Sequence, residues 1–316
     1  FAHELEMLEP FGVGNRRPMF VIEECASGAQ PVKPQSPHIS IKSDKIELMY
    51  FGGAKYAYLL GSPAPKSYVF EYNVSKFRGR EYVKGYVRDV VASRDAGAYC
   101  KREIAVNNIL TLACPAADCA VKSMTREEID AAMSGGASYG TLYIASDYDT
   151  LSRYENVNKF PVELFTLSSG NLADTVLVSP RPDADLSGFK NVVFLDAQPA
   201  GVRYKSLSGK SAVICSDVCG YNYLQSLSSE RGDLLKIFSV VLTNMGGISG
   251  CDSGEVALKS DFCQSAAQAA FALEVFRQLL LISYEDGKFR LFRGVKTDLT
   301  NSELYNIVRE YHENRS

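Results

Sequence analysis

The residues whose types and spacing could do chemistry in this chain lie between positions 82 and 88. Rings and cations alternate there at every second position, as along one face of a β-strand: Tyr82, Lys84, Tyr86 and Arg88. Bases of single-stranded nucleic acid stack on flat rings of this kind, while ammonium and guanidinium groups contact the phosphates. The pattern therefore predicts a face that binds a single strand. The alternative is an ordinary exposed strand whose tyrosines pack under a neighbouring loop.

A β-hairpin over residues 68–89 would position this face. Its first arm alternates apolar with polar side chains, its turn lies at residues 77–79, and Val83 and Val87 occupy the opposite face of the returning arm. Two further cations stand at the turn, namely Arg78 and Arg80. The segment 66–88 holds six Lys or Arg residues and two Glu residues, so a local basic patch is available.

Three shorter alternating segments precede the hairpin and extend the predicted sheet. They lie at residues 19–22, 38–42 and 46–50. The stretch that holds these segments is rich in glycine turns, and the second segment places two isoleucines inward. Its outward side chains include His38 and Lys42, which we also predict to bind the single strand. About five short strands within about 75 residues predict a small closed or partly open β-barrel.

The composition of the chain limits the classes of protein to consider. With 316 residues, 46 % hydrophobic and 22 % charged, it can bury the cores of two or three globular domains. A net charge of −3 excludes a general basic coat, so a nucleic-acid site must be local. No apolar run reaches the length of a membrane span and no signal peptide opens the chain, so the eight cysteines predict reduced thiols in a cytoplasmic protein. The opening residues FAHELEMLEP are typical of a helix in progress, and we expect a fragment of a longer protein.

Several of these segments resemble the bacterial RecJ family of single-strand-specific 5′→3′ DNA exonucleases. The matching residues occur in order along the chain: residues 8–15 (LEPFGVGN) with Pro18, residues 38–42 (HISIK), residues 50–52 (YFG), Asn73 with residues 77–79 (FRG), and residues 87–89 (VRD). The family usually has proline after Gly-Asn, where this chain has Arg16. The resemblance implies an OB-fold that binds single-stranded DNA and is joined to a catalytic core. We also expect positive φ angles in the Gly-Val-Gly-Asn turn of residues 12–15.

The resemblance implies metal-dependent chemistry, but this sequence lacks the residues for it. Nucleases of the DHH type hold Mn²⁺ or Mg²⁺ with aspartates and an Asp-His-His motif. The histidines here are three isolated residues, none of which follows an aspartate or another histidine: His3, His38 and His312. We therefore expect no catalytic or metal-binding residue in this chain and assign the metal to a catalytic core outside it. The chain should bind DNA and should not cut it.

Beyond residue 96 the pattern changes and predicts an α/β layer domain with a helical end. Short apolar runs, typical of a parallel sheet covered on both faces, recur at residues 141–145, 162–167, 175–178, 192–195 and 212–215. Towards the C-terminus, two helices and a hairpin resemble a winged helix, and a last helix follows the cap Ser302. The predicted divisions are a linker over residues 1–18, the OB-fold over 19–95, the α/β domain over 96–225 and the helical subdomain over 226–316.

Three weaker signals in the same region have ordinary explanations. Gly209-Lys-Ser resembles the end of a phosphate-binding loop, but Tyr204 stands where the first glycine belongs and a strand follows, which favours a surface turn. Two aspartate pairs could be functional carboxylate pairs, but both follow predicted strands in loops, which favours solvated loop acids. Two cysteine pairs could suggest a metal site, but their spacing and the lack of nearby histidines favour buried free thiols. These pairs are Asp147 and Asp149, Asp183 and Asp185, Cys114 and Cys119, and Cys215 and Cys219.

The C-terminal segment adds a second resemblance. Residues 296–299 (KTDL) with Ser302 and Tyr305 resemble the tail of RecJ proteins that carry an extra C-terminal domain. In that family the domain is associated with partner contacts, including those with the single-strand-binding protein SSB. We therefore expect the non-catalytic C-terminal part of a RecJ-like exonuclease that binds single-stranded DNA and partner proteins in DNA repair and recombination, and no membrane. The alternatives are a protein-interaction module without nucleic-acid binding and, from Gly209-Lys-Ser alone, an enzyme that uses a nucleoside triphosphate.

Overall fold

The computed structural model describes the chain apart from residues 1–3, 6, 25–27, 34–35, 44, 57–59, 61–64, 78, 93–99, 168–172, 244–252, 260–264, 286–287, 293 and 315–316. The chain divides into two compact units. The first comprises residues 1–100 and 162–171, and the second comprises residues 101–161 and 172–316. The finer boundaries at residues 18, 95 and 225 stay predictions. No helix in the described part of the chain is long and apolar enough to cross a membrane.

The first unit contains a six-stranded sheet. Its strands are β1 (Phe20–Glu24), β2 (Gly28–Pro31), β3 (Ile39–Lys42), β4 (Glu47–Tyr50), β5 (Lys66–Phe77) and β6 (Arg80–Ala92). Their spatial order is β1-β5-β6-β4-β3-β2, in which β4 and β6 run parallel and all other neighbours run antiparallel. The long hairpin of β5 and β6 lies where the alternating pattern predicted it. Closure of the sheet into a barrel stays a prediction.

Alternation of side chains buries one face of this sheet. Leu48 is fully buried and Phe70 nearly so, while their neighbours along each strand are more exposed. A Cβ built at Gly85 would approach Leu48 Cδ2 to 2.4 Å and Phe70 Cδ2 to 2.6 Å. Glycine therefore stands at this point of β6 because the core leaves no room for a side chain. Of the two valines predicted on this face, Val87 is 5 % exposed and Val83 is 41 % exposed.

The segment before β1 folds around Asn15. The side-chain amide of Asn15 donates hydrogen bonds to the backbone oxygens of Leu8 at 2.7 Å and Pro10 at 3.2 Å. Neither Gly12 nor Gly14 has a φ angle in the left-handed region, so the expectation of positive φ in this turn was wrong. The turn is held by the asparagine side chain, which satisfies backbone oxygens directly and does not need left-handed glycines.

The second unit is built on a parallel sheet. Its strands are β7 (Ala120–Met124), β8 (Thr141–Ala145), β10 (Thr175–Val178), β11 (Asn191–Phe194) and β12 (Ser211–Cys215), and β9 (Val162–Leu164) lies in the segment of residues 162–171. The spatial order is β7-β12-β11-β8-β10, and every neighbouring pair is parallel. The predicted parallel sheet is therefore confirmed. Every residue of β10 is buried, as expected for a parallel strand covered on both faces, whereas β7 is an exposed edge strand that the periodicity did not reveal.

Seven helices among the described residues accompany this sheet. They are α1 (Lys101–Leu112), α2 (Arg126–Met133), α3 (Tyr148–Leu151), α4 (Arg231–Thr243), α5 (Ser253–Lys259), α6 (Ala266–Gln278) and α7 (Glu303–Glu313), and a hairpin of β13 (Ile282–Glu285) and β14 (Lys288–Leu291) lies between the last two. The helix α6 is buried from Ala266 to Phe276 and packs against α1, α4, α5 and α7. Its many alanines keep the helix narrow, so its neighbours approach closely. The winged-helix arrangement of these elements stays a prediction.

Candidate nucleic-acid interface

The strand β6 presents predicted binding residues on the side of the sheet opposite the core. Val87 is buried in the core, and the side chains that alternate with it on β6 face outward: Tyr82, Lys84, Tyr86 and Arg88. We call these four residues the β6 face. The strand begins at Arg80, whose side chain, like the whole of Arg78, lies outside the described residues. The structure therefore confirms the predicted alternation, and the binding role of these residues stays a prediction.

On one side of β6, the strand β4 supplies a carboxylate to Lys84. Lys84 Nζ donates a hydrogen bond to Glu47 Oε1 at 2.9 Å, and Ser40 Oγ donates to the same oxygen at 3.3 Å. The hydrogen bond from Lys84 holds the pKa of Glu47 below its usual value, and the positive charge of Lys42 acts in the same direction. Lys42 is the register partner of Glu47 on β3 and is exposed. Lys84 is therefore already paired with an ionised carboxylate.

On the other side of β6, the strand β5 supplies a carboxylate to Arg88. Arg88 Nη2 donates a hydrogen bond to Glu71 Oε2 at 2.9 Å, and this bond raises the pKa of Arg88. Glu71 stands opposite Tyr86 in the strand register, so the ion pair crosses the face diagonally. The two cations and the two carboxylates together carry no net charge at the centre of the β6 face.

A row of aromatic rings runs from β6 to the residue that follows β4 and the residue that precedes β3. The Tyr86 and Phe51 rings meet edge to face with centroids 5.2 Å apart, and the Phe51 and His38 rings meet edge to face at 5.3 Å. The His38 ring is held by its Nδ1 atom, which accepts a hydrogen bond from the Gly52 backbone N–H at 3.1 Å. Phe51 is 54 % exposed. We call His38, Phe51 and Tyr86 the aromatic row.

Phe51 is a member of this surface that sequence reasoning missed. It follows directly after β4, and in the sequence it stands out only as part of the motif of residues 50–52 and not as an exposed ring. An available signal was the position of a bulky aromatic residue immediately before a Gly-Gly pair, where a strand ends and a side chain is free to turn outward. The register of β4 against β6, which pairs Met49 with Tyr86, brings Phe51 to Tyr86.

One aspartate of each pair predicted as solvated loop acids in the second unit bonds to a residue close by in the sequence. Asp147 caps α3, with its Oδ1 accepting a hydrogen bond from Thr150 N at 2.8 Å, and Asp183 pairs with Arg181 at 3.1 Å. The Gly209 turn leads directly into β12, so the strand expected after it is confirmed. Within the described ranges, no three His, Cys, Asp or Glu side chains are grouped in a way that could hold a metal ion.

A buried polar cluster at the carboxyl ends of β8 and β11 was not predicted. Asp196 is fully buried, and its carboxylate accepts hydrogen bonds from three donors: Ser146 N at 2.7 Å, Thr150 Oγ1 at 3.2 Å and Gln198 Nε2 at 2.8 Å. Burial raises the pKa of Asp196 to about 7, against the lowering effect of the Ser146 hydrogen bonds. A Cβ built at Gly220 would lie 2.6 Å from the Asp196 carboxyl carbon. The carboxylate is thus enclosed and ties the two strand ends together.

Comparison with known proteins places the β6 face in a recognised domain. A family model for the RecJ OB domain matches residues 1–89. A search of curated proteins finds no match to the chain. Among solved structures, RecJ from Thermus thermophilus in complex with Mg²⁺ is 12 % identical, with 99 % of this chain and 35 % of that chain covered and a TM-score of 0.25. RecJ from the same organism in complex with Mn²⁺ is 13 % identical, with 99 % and 33 % covered and the same TM-score.

The resemblance to RecJ rests on the OB-domain match. The chain spans about a third of the length of the two solved structures, and a TM-score of 0.25 does not establish a common fold. The matched residues include strands β1 to β5 and most of β6, and therefore the whole β6 face and the aromatic row. The match therefore identifies residues 1–89 as similar to the RecJ OB domain.

Proposed function

We propose that this chain is the non-catalytic C-terminal part of a RecJ-like 5′→3′ single-stranded DNA exonuclease, and that its first unit binds single-stranded DNA without sequence preference. The observation that carries the proposal is an exposed aromatic row inside the segment that matches the RecJ OB domain. The bound strand would be held for a catalytic core beyond this chain, in cytoplasmic DNA repair and recombination. Mn²⁺ or Mg²⁺ would belong to that core.

The aromatic row suits base stacking because its rings are fixed and Phe51 is accessible. Phe51 is 54 % exposed, and Tyr82, on the same β6 face as Tyr86, is 42 % exposed. The edge-to-face contact of Phe51 with Tyr86 holds both rings in defined orientations, so little side-chain freedom is lost when a base stacks. Every base offers a π-face to such a ring, which is the reason to expect no sequence preference.

Fluorescence anisotropy tests the binding function. A labelled single-stranded oligonucleotide and the duplex of the same sequence are titrated with the purified chain over a series of salt concentrations. We expect binding to the single strand at low salt, weaker binding to the duplex, and a loss of affinity as salt rises because phosphate contacts release counterions. No binding at low salt, or equal binding to the duplex, would overturn the proposal.

The same preparation should not degrade DNA. We expect a 5′-labelled single strand to stay intact with and without added manganese, because the sequence carries no Asp-His-His motif. Degradation by a preparation free of contaminating nuclease would place the chemistry in this chain.

A second role, contact with a partner protein, is supported by a groove in the second unit. A cavity of about 560 Å³ lies between α4 and α6 and is lined by Leu234, Leu235 and Phe238 of α4. Leu235 is 52 % exposed. Arg231, Lys296 and Asp298 also line the cavity, so its charged side chains carry a net positive charge, which suits a partner segment with an apolar side chain and acidic neighbours. We propose SSB as this partner, as the family resemblance suggests.

Binding of purified SSB to variants of the chain tests this second role. Leu235→Asp and Arg231→Glu should weaken SSB binding, because they place negative charge in the groove. Leu242→Asp is the matched control, since Leu242 is a 38 % exposed leucine of the same helix that does not line the cavity. Equal binding by all three variants and the wild type would exclude the groove as the contact.

A further inference from the structure

The cations of the β6 face are not available to phosphate in the way that the sequence suggested. Lys84 and Arg88 each have a carboxylate partner at 2.9 Å, Glu47 on one side of β6 and Glu71 on the other. The two ion pairs flank Tyr86, which lies between the two cations on the strand and touches Phe51. The Tyr86 ring at the centre of the face therefore has an ion pair on either side along the strand.

We propose that Glu47 and Glu71 determine the selectivity of this face for single strands over duplex. The inference rests on the proposed DNA-binding function and deepens it. A phosphate that approached Lys84 or Arg88 closely would also meet the partner carboxylate, and two like charges repel at short range. A base carries no charge, so it reaches the aromatic row without this repulsion. The carboxylates thus favour ligands that turn bases, and not phosphates, towards the protein.

Single and double strands differ in how accessible their bases are and in the density of their phosphate charge. A duplex keeps its bases stacked inside and presents phosphates, with one negative charge per about 1.7 Å of axis against one per about 3.4 Å for each strand. A single strand can rotate its bases outward onto rings and place its phosphates to the side. At the side, Lys42 is an exposed cation on β3. The repulsion from the two carboxylates therefore penalises the duplex more than the single strand.

The double variant Glu47→Gln, Glu71→Gln tests the proposal in the full 316-residue chain. Anisotropy is measured at low salt with a labelled single strand and with the duplex of the same sequence. We expect duplex affinity to rise by about tenfold and single-strand affinity by about twofold, since an exposed charge interaction changes binding by up to about fivefold per group. The salt dependence for the duplex should also steepen, because the freed Lys84 and Arg88 become able to contact phosphates.

Glu23→Gln is the matched control. Glu23 is an exposed acid on β1, away from the β6 face in the strand order, so this variant changes the net charge in the same direction without touching either ion pair. It should leave the ratio of single-strand to duplex affinity unchanged. Circular dichroism and melting temperature check the fold, and the two single Glu→Gln variants replace the double variant if it does not fold.

The outcomes separate the proposal from the function on which it rests. A wild-type chain that binds single strands, with an unchanged affinity ratio in the Glu→Gln variants, leaves the DNA-binding function in place and overturns the selectivity proposal. An equal change of the ratio in Glu23→Gln also overturns it, because net charge alone would then explain the effect. Absence of single-strand binding by the wild type and by every variant overturns the binding function itself.

Discussion

In the first unit the outward side chains of β6 meet solvent, whereas in the second unit the polar side chains at the ends of β8 and β11 are enclosed. Tyr82 is 42 % exposed, and Asp196 is fully buried with three hydrogen-bond donors around its carboxylate. The difference follows from the two kinds of sheet. A mainly antiparallel sheet can leave one face to solvent, while a parallel sheet is covered on both faces.

This difference teaches which side chains are available for binding. Side chains on the solvated face, such as the rings of Phe51 and Tyr82, can meet a ligand without first breaking a buried contact. The enclosed groups around Asp196 cannot, because a buried polar atom that loses its partner costs about 1–3 kcal/mol. We therefore propose ligand binding at the face of the first sheet and a structural role for the cluster of the second.

The largest expected effect concerns the enclosed cluster and its pH dependence. Because the pKa of Asp196 is raised to about 7 in the folded chain, the folded state binds a proton that the unfolded state has lost between about pH 4 and pH 7. The contribution of Asp196 to the free energy of unfolding should therefore be most favourable below about pH 4 and fall by about 4 kcal/mol as pH rises to about 7. Asp196→Asn should remove most of this decline.

Denaturant unfolding followed by circular dichroism from pH 4 to 8 measures the difference between Asp196→Asn and the wild type. The asparagine can keep its contacts if the Gln198 amide turns over, since Gln198 Oε1 already accepts from the Tyr221 hydroxyl at 3.2 Å. Asp149→Asn, an exposed acid of α3, should leave the decline intact. Identical pH profiles for the wild type and Asp196→Asn would show that Asp196 does not cause the decline in the free energy of unfolding.

The next effect concerns the core beneath the β6 face. Gly85→Ala should lower the free energy of unfolding of the first unit by about 3 kcal/mol, because the added methyl group overpacks the contact between Leu48 and Phe70. Hydrogen exchange of residues 66–92 localises the loss to the hairpin. Gly14→Ala is the control, since no atom lies within 4 Å of a Cβ at that position. Equal exchange in both variants would mean that the core can relax around the methyl group.

The smallest effect concerns the exposed aromatic row. Phe51→Ala should weaken single-strand binding by about 1–3 kcal/mol, the value of one base stack, with a nearly unchanged salt dependence because no phosphate contact is lost. Val83→Ala, an exposed residue on the opposite side of β6, should bind as the wild type does. A lower melting temperature of Phe51→Ala with unchanged affinity of the folded fraction would assign the ring to packing and remove it from the DNA path.

The elements that the sequence predicted well are those whose periodicity follows from burial on one side. The β5–β6 hairpin and the strand β8 lie where alternating and continuous apolar runs placed them. The helix α7 begins after the predicted cap Ser302, whose side chain accepts a hydrogen bond from Tyr305 N at 3.2 Å and so satisfies a free backbone group.

The elements that the sequence did not reveal do not bury apolar residues along one side only. The helix α1 buries polar side chains, so its pattern is not amphipathic: Asn107 donates to Pro180 O at 2.9 Å and Asn108 donates to Ser146 O at 2.7 Å. Such partners are remote along the chain, and only the folded structure brings them to the helix. The strand β7 is exposed and has no buried face, so its sequence shows no apolar periodicity.

The same division applies to the candidate interface. The sequence by itself determined the outward alternation of Tyr82, Lys84, Tyr86 and Arg88, because side chains of a strand alternate with a period of two whatever the rest of the chain does. Only the tertiary structure decided that Lys84 and Arg88 are paired with Glu47 and Glu71, and that Phe51 joins the rings. Those contacts link β6 to β4 and to β5 across the sheet, and the strand order and register that create them depend on how the whole core packs.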